Sequence, residues 1–152
     1  MGSGRSGLYS GATSAIADTD YTLAVSIKEE NTSEVWKHIQ STQPVYAGTV
    51  IPKSFVIDTP QGKMWTHGNA TEHMNEAVTS IKQNAPRIIN SNPNMYSQFI
   101  LYDYWKSLGR ATNGGIKYGK LIRSGKWEFI FSKPRKSGEH PVVKHAQFFG
   151  LQ

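Results

Sequence analysis

The sequence predicts an α+β domain, with N-terminal helices packed on a small antiparallel sheet of about four strands. Three observations carry that expectation. A hairpin signature lies at residues 54–67, two helical stripes follow between 69 and 108, and after Asn113-Gly114-Gly115 the hydrophobic period falls from 3.6 to 2. Strands grouped before and after the helices, rather than alternating with them, argue against a doubly wound parallel sheet. The chain has 152 residues, the size of one domain able to bury roughly 68–70% of its extended surface.

Taken in order, residues 1–14 (MGSGRSGLYSGATS) are Gly/Ser-rich and read as a flexible leader or an expression scar, which leaves 15–152 as a single folded domain. Tyr21–Ile27 alternates apolar with small polar residues, as a strand does. Asn31–Gln40 reads as a helix capped by Thr32 or Ser33, with Val35, Trp36 and Ile39 on its apolar side. Ser54–Thr59 and Met64–His67 flank Pro60-Gln61-Gly62-Lys63, a turn between two strands. Gly68-Asn69 breaks the second strand. Asn69 is placed to cap a helix running to about Gln83, with Glu72 three residues on and Ala70, Met74, Ala77, Val78 and Ile81 on one stripe.

Asn84-Ala85-Pro86 ends that helix, and Ile88–Pro93 links it to the next. Asn94 caps a second helix, Met95–Leu108, with Gly109 expected as its left-handed terminus and Met95, Phe99, Tyr102, Trp105 and Leu108 as its buried stripe. Ile116–Arg123 and Lys126–Ser132 then flank Ser124-Gly125 as a hairpin. Pairing outward sets Ile122 against Trp127, Lys120 against Phe129 and Tyr118 against Phe131. A basic loop, Lys133–Pro141, leads to a last strand at about Val142–Phe149.

Composition excludes several classes. The chain has no cysteine, which removes disulfides, thiolate metal sites and cysteine nucleophiles. It has no apolar run long enough to span a membrane and no signal-peptide pattern of its own. The charge is polarised. Residues 1–76 hold 5 Lys/Arg against 8 Asp/Glu (net −3), whereas residues 77–152 hold 12 against 3 (net +9). The basic half also carries Tyr118, Trp127, Phe129, Phe131, Phe148 and Phe149, which suits a polyanion with stackable bases and equally suits a solvated basic surface over an aromatic core.

Candidates for acid/base chemistry are His38, His67, His73, His140 and His145. No metalloprotease, phosphate-loop or serine-nucleophile motif occurs, so neither a cofactor nor a metal site is expected. His67 ends a strand just before a helix start, where backbone N–H groups favour an anion and an imidazole can move protons near neutral pH. Asn69 and Thr71 extend that site with short polar side chains, or simply cap the helix. His73 is a second acid/base candidate or a solvated helix residue. Lys144 and His145 are neighbours on the last strand, so alternation lets only one of them face a cleft. Lys120, on an aromatic sheet face, must snorkel, pair or border a binding cleft. Arg123, Lys126, Lys133, Arg135 and Lys136 are backbone-contact candidates, with Tyr118 as a stacking partner. His38 and His140 read as surface residues.

The run Met64-Trp65-Thr66-His67-Gly68-Asn69-Ala70-Thr71-Glu72-His73-Met74 resembles the W-x-H-x-N-A-T-x-H-M segment of C-terminal toxin domains in bacterial polymorphic toxin systems, among them contact-dependent growth inhibition, Rhs and LXG-type effectors. Gly125–Phe131 and Pro141–Ala146 resemble the end of the same domains, so the likeness covers about residues 50–149. It implies a small ribonuclease of the barnase/EndoU/colicin/RelE-like group, whose fold is N-terminal helices followed by a four-stranded antiparallel sheet. It also implies delivery from a secreted or cell-surface effector into a target cell's cytoplasm, and a cognate immunity protein. The charge of the basic half makes an acidic inhibitor the expected one.

His67, Asn69, Thr71 and His73 are the positions that match the shared segment. Lys120, Lys144 and His145 come from the physical reading alone. The expected activity is metal-independent cleavage of tRNA or rRNA through the 2′-OH. The rivals are a metal-dependent DNase toxin and a non-catalytic nucleic-acid-binding module.

Overall fold

The computed structural model describes residues 32–84 and 94–150. The leader, the Tyr21–Ile27 strand expectation and the Ile88–Pro93 linker lie outside the described residues. The class is α+β as expected, but among the described residues the sheet has six strands and is mixed, where about four antiparallel strands were expected.

Where a helix was expected at Asn31–Gln40, the chain forms a 3₁₀ helix, Thr32–His38, and a two-residue strand β1, Ile39–Gln40. So short a segment is marginal as an α-helix by itself. It is instead fixed from outside, where Gln98 donates Nε2–H to Thr32 Oγ1 (2.8 Å) and accepts from Trp36 Nε1 (2.8 Å).

Strands β2 (Phe55–Thr59) and β3 (Gly62–Thr66) pair as the expected hairpin around Pro60-Gln61. Gly62 adopts φ 104° at the turn exit, a conformation that L side chains rarely take. Alternation sends Phe55, Ile57, Met64 and Thr66 to the core and leaves Val56 and Trp65 on the other face.

Helix α1 (Gly68–Asn84) buries Ala70, Met74, Val78 and Ile81 on one stripe, and Ala77 packs against the same core. Helix α2 (Asn94–Ala111) runs past Gly109, which is an ordinary helical residue here. It ends one turn later, where Thr112 donates both N–H and Oγ1–H to Leu108 O, and Gly114 and Gly115 take the positive φ of the following turn. Its buried stripe is also rotated from the expected one. Tyr96, Phe99, Ile100, Leu101, Tyr104 and Leu108 are buried, whereas Met95, Tyr102 and Trp105 are half-exposed. The 3₁₀ helix, α1 and the sheet all contact α2, so a broad arc is covered instead of a single stripe.

The C-terminal meander is β4 (Ile122–Ser124), β5 (Trp127–Ser132) and β6 (Val142–Phe148). Its first turn is Gly125-Lys126, one residue later than expected. Ser124 faces Trp127, Arg123 faces Glu128, and Ile122 faces Phe129. Gly125 takes φ 58°, the left-handed first position of a II′-type loop, and a Cβ there would sit 2.8 Å from Arg110 Nη2. β4 is also only three residues long. Lys120 therefore never enters the aromatic face; it is exposed in the segment before β4. Tyr118 does reach Phe131, but through an isolated parallel bridge.

The two hairpin systems join through a parallel pairing of β3 with β6, Trp65 with Val142 and Thr66 with Val143, in the order β1-β2-β3-β6-β5-β4. On β5, Trp127, Phe129 and Phe131 point inward and Glu128, Ile130 and Ser132 point outward. Trp127 stacks parallel to Phe129 and Phe129 to Phe131, with Tyr104 tilted against the first two. Such pairs add about 0.5–1.5 kcal/mol each beyond the area they bury. The helices cover this face. Among the described residues, no helix covers the other face of β3, β6 and β5, and the candidate site lies on it.

Candidate active site

A bulge builds the centre of the site. His145 pairs with Ile130 and Val143 with Phe131, so Lys144 is an extra residue without a partner across the ladder. Strict alternation would have sent Lys144 and His145 to opposite faces. With the bulge, Val143 and Ala146 are both buried, and Lys144 and His145 both line one cleft.

That cleft, about 360 Å³, runs between α1 and the open face of β5–β6 and is lined by Asn69, Glu72, His73, Glu76, Ile130, Lys144 and His145. His73 and His145 meet edge to face with ring centroids 5.4 Å apart. Each ring is held by a carboxylate. His73 Nδ1 lies 3.1 Å from Glu76 Oε1, and His145 Nε2 lies 3.3 Å from Glu128 Oε1. Glu128 is in turn 3.5 Å from Arg123, whose guanidinium sits over Phe149 at 4.6 Å. A carboxylate accepts only, so each bonded ring nitrogen carries the proton. His73 Nε2 and His145 Nδ1 then keep their lone pairs in the neutral rings. Two imidazoles so oriented can take up and release protons on one bound ligand.

His67 is not among the residues that line this cleft, and it plays a part that its sequence context did not show. Its backbone carbonyl accepts from Ala70 N and Thr71 N, and its ring Nδ1 accepts from Asn69 N at 3.0 Å. His67 is thus the cap of α1, and Asn69, expected as the cap, lies inside the first turn. An N–H donor requires an unprotonated Nδ1, which assigns the proton to Nε2. Partial burial, then the charges of Arg135 and Lys144, hold the ring's pKa below its ordinary value. While it caps the helix, His67 is a neutral ring with a hydrogen-bond donor to offer.

Thr71 is not in the cleft. It is fully buried, with Oγ1 2.8 Å from Lys53 O, 3.1 Å from Gly68 O and 2.8 Å from the Tyr46 hydroxyl. Those bonds tie α1 to the loop before β2 and leave no access for a phosphate. Lys120 is absent from the cleft lining; it is exposed and precedes β4, which begins at Ile122.

A second cleft, about 500 Å³, lies on the same face and is lined by Val56, Trp65, Arg135, Lys136, Gly138, Glu139, His140 and Val142. Arg135 lies over Trp65 at 4.9 Å, and Trp65 meets His67 edge to face at 5.2 Å. His67 lines neither cleft, but it touches Trp65 of this one and Asn69 of the other. Of the other basic candidates, Lys126 is exposed in the Gly125-Lys126 turn, and Lys133 approaches Tyr118 at 6.0 Å. His38 is not free surface as expected; it stacks on Trp105 at 4.3 Å and pairs with Asp58 at 3.5 Å.

Sequence reasoning did not single out Glu76, Glu128 or Trp65. Glu76 stands three residues after His73 on the helix, a spacing that could have found it. Glu128 is two residues from His145's true partner, Ile130, so only the bulged register brings it into reach. Among the described residues, no three His, Asp or Glu side chains converge as metal ligands, and no helix is long and apolar enough to cross a membrane. No protein-family model matches the chain, and no curated protein does.

Proposed function

We propose that this chain is a metal-independent endoribonuclease, the toxin domain of a bacterial polymorphic effector, in which His73 and His145 are the acid/base pair. The observation that carries the reading is the pair itself: two edge-to-face imidazoles, each oriented by its own carboxylate, beside Lys144 on the open face of a basic sheet.

The chemistry follows from those parts. One neutral imidazole takes the proton of a ribose 2′-OH, whose oxygen attacks the adjacent phosphorus. The P–O5′ bond breaks, and the other ring, protonated, delivers its proton to the departing 5′ oxygen. The products are a 2′,3′-cyclic phosphate and a 5′-hydroxyl. Lys144 supplies positive charge to the phosphorane, and the His67 Nε2–H supplies a neutral donor. Glu76 and Glu128 position the rings. An enzyme of this kind endangers its producer, which accounts for the acidic immunity protein in the reading. The basic strip Lys120–Lys136 is the face such an inhibitor would cover.

Total cellular RNA incubated with the purified protein, with and without EDTA, tests the assignment. Discrete fragments ending in cyclic phosphate, formed equally with chelator, are expected. Intact RNA, or cleavage abolished by EDTA, would overturn it.

A further inference from the structure

The Trp65 cleft is distinct from the histidine cleft, and the cleavage chemistry leaves it unused. Its floor is an apolar row that crosses three strands in register. Val56 of β2 faces Trp65 of β3, and Trp65 faces Val142 of β6. A half-exposed indole in such a row is a flat platform that the core has not absorbed. Above it lies the planar guanidinium of Arg135, from an exposed loop, at 4.9 Å from the ring centre. Lys136 and His140 stand on the rim, and Glu139 is the one acidic lining residue.

Flat aromatic floor, planar cation and basic rim together suit an unpaired nucleotide. Every base has a π face for the indole, Arg can close over the opposite face, and the rim complements the flanking phosphate. A paired base offers no free face, so a duplex does not meet the same requirement. We infer that the Trp65–Arg135 cleft is a stacking subsite for one unpaired nucleotide of a single-stranded RNA whose neighbouring phosphate is bound beside His67 and Lys144. The inference takes the ligand's class from the ribonuclease reading. The substrate would then have to be single-stranded or locally melted across both clefts, which disfavours continuous duplex.

The test reads binding without cleavage. The probe is a fluorescein-labelled single-stranded hexanucleotide of 2′-O-methyl RNA, which has no free 2′-OH to attack, compared with the same strand annealed to its complement. Trp65→Leu should weaken single-strand binding roughly 5- to 150-fold, the range expected when one base loses its stacking platform. Trp65→Phe should restore most of that affinity. Arg135→Lys, on an exposed loop that does not threaten the fold, keeps the charge and removes the planar face. It should weaken binding several-fold at constant salt. Unchanged affinity in both Trp65→Leu and Arg135→Lys would overturn the subsite, as would equal losses for duplex and single strand. Activity on total RNA separates the two ideas. Wild-type cleavage with unaltered binding by the variants sinks the subsite alone; stacking losses in a protein that cleaves nothing sink the ribonuclease reading alone.

Discussion

Replacing His67 separates two roles that the structure superimposes on one ring. Its Nδ1 accepts the Asn69 N–H at 3.0 Å, and its backbone carbonyl opens the helix. His67→Ala removes a side-chain cap, which costs about 0.5–2 kcal/mol, typically about 1. For a domain of this size that lowers Tm by roughly 2–4 °C per kcal/mol. Asparagine carries an acceptor oxygen at the position of Nδ1 and is among the best capping residues. His67→Asn should therefore melt within about 1 °C of wild type on the same scale.

The pH dependence has a definite sign. Burial and the charges of Arg135 and Lys144 depress the folded ring's pKa below 6.5. Between that depressed value and 6.5 the unfolded chain binds more protons than the folded one. The contribution of His67 is thus fully present above 6.5 and is lost as pH falls through that window. Thermal melts from pH 7.5 to 5 should show this decline in wild type and a shallower one in His67→Asn. Activity on RNA should still drop about 10²-fold in His67→Asn, since the oxygen cannot replace an Nε2–H donor. A His67→Asn variant that melts as low as His67→Ala would refute the cap. One that recovers both stability and rate would refute any role in catalysis.

His73→Gln and His145→Gln should each lower the cleavage rate by roughly 10²–10⁴-fold with the fold intact, as read by single-turnover kinetics and circular dichroism. Near-wild-type rates in either would remove that ring from the chemistry. Thr71→Val should destabilise by about 1–3 kcal/mol, because it strips partners from the Tyr46 hydroxyl and Lys53 O, yet leave activity per folded molecule unchanged. A large rate loss at full stability would return Thr71 to the site. Charge reversal at Lys136 and Lys144 should flatten the salt dependence of RNA binding by roughly one log–log unit for each phosphate no longer neutralised; an unchanged slope would make them a solvated rim. For the inhibitor, association that slows as ionic strength rises is expected, and a salt-independent rate would exclude docking on the basic strip.

Some of this protein was written locally in the chain. The turn at Pro60-Gln61, the α1 stripe of Ala70, Met74, Val78 and Ile81, and the inward alternation of Trp127, Phe129 and Phe131 follow from period and turn chemistry, which act over a few residues. The basic bias of residues 77–152 is likewise a property of composition. What could not be read there depends on contacts between segments far apart in sequence. The parallel pairing of Trp65 with Val142 has no turn to announce it, so the expected sheet was smaller and wholly antiparallel. Alternation assigned Lys120 to the aromatic face, but β4 begins only at Ile122, so Lys120 lies before the strand and never joins that face. The extra residue at Lys144 is invisible to alternation, yet it turns Lys144 and His145 to the same side. His73 meets His145 only because α1 packs against β6 beyond the end of β3. The sequence by itself determined which acid/base and cationic residues this protein owns. The tertiary structure decided which of them meet, because that geometry is set by long-range register and by burial, neither of which is written in local period.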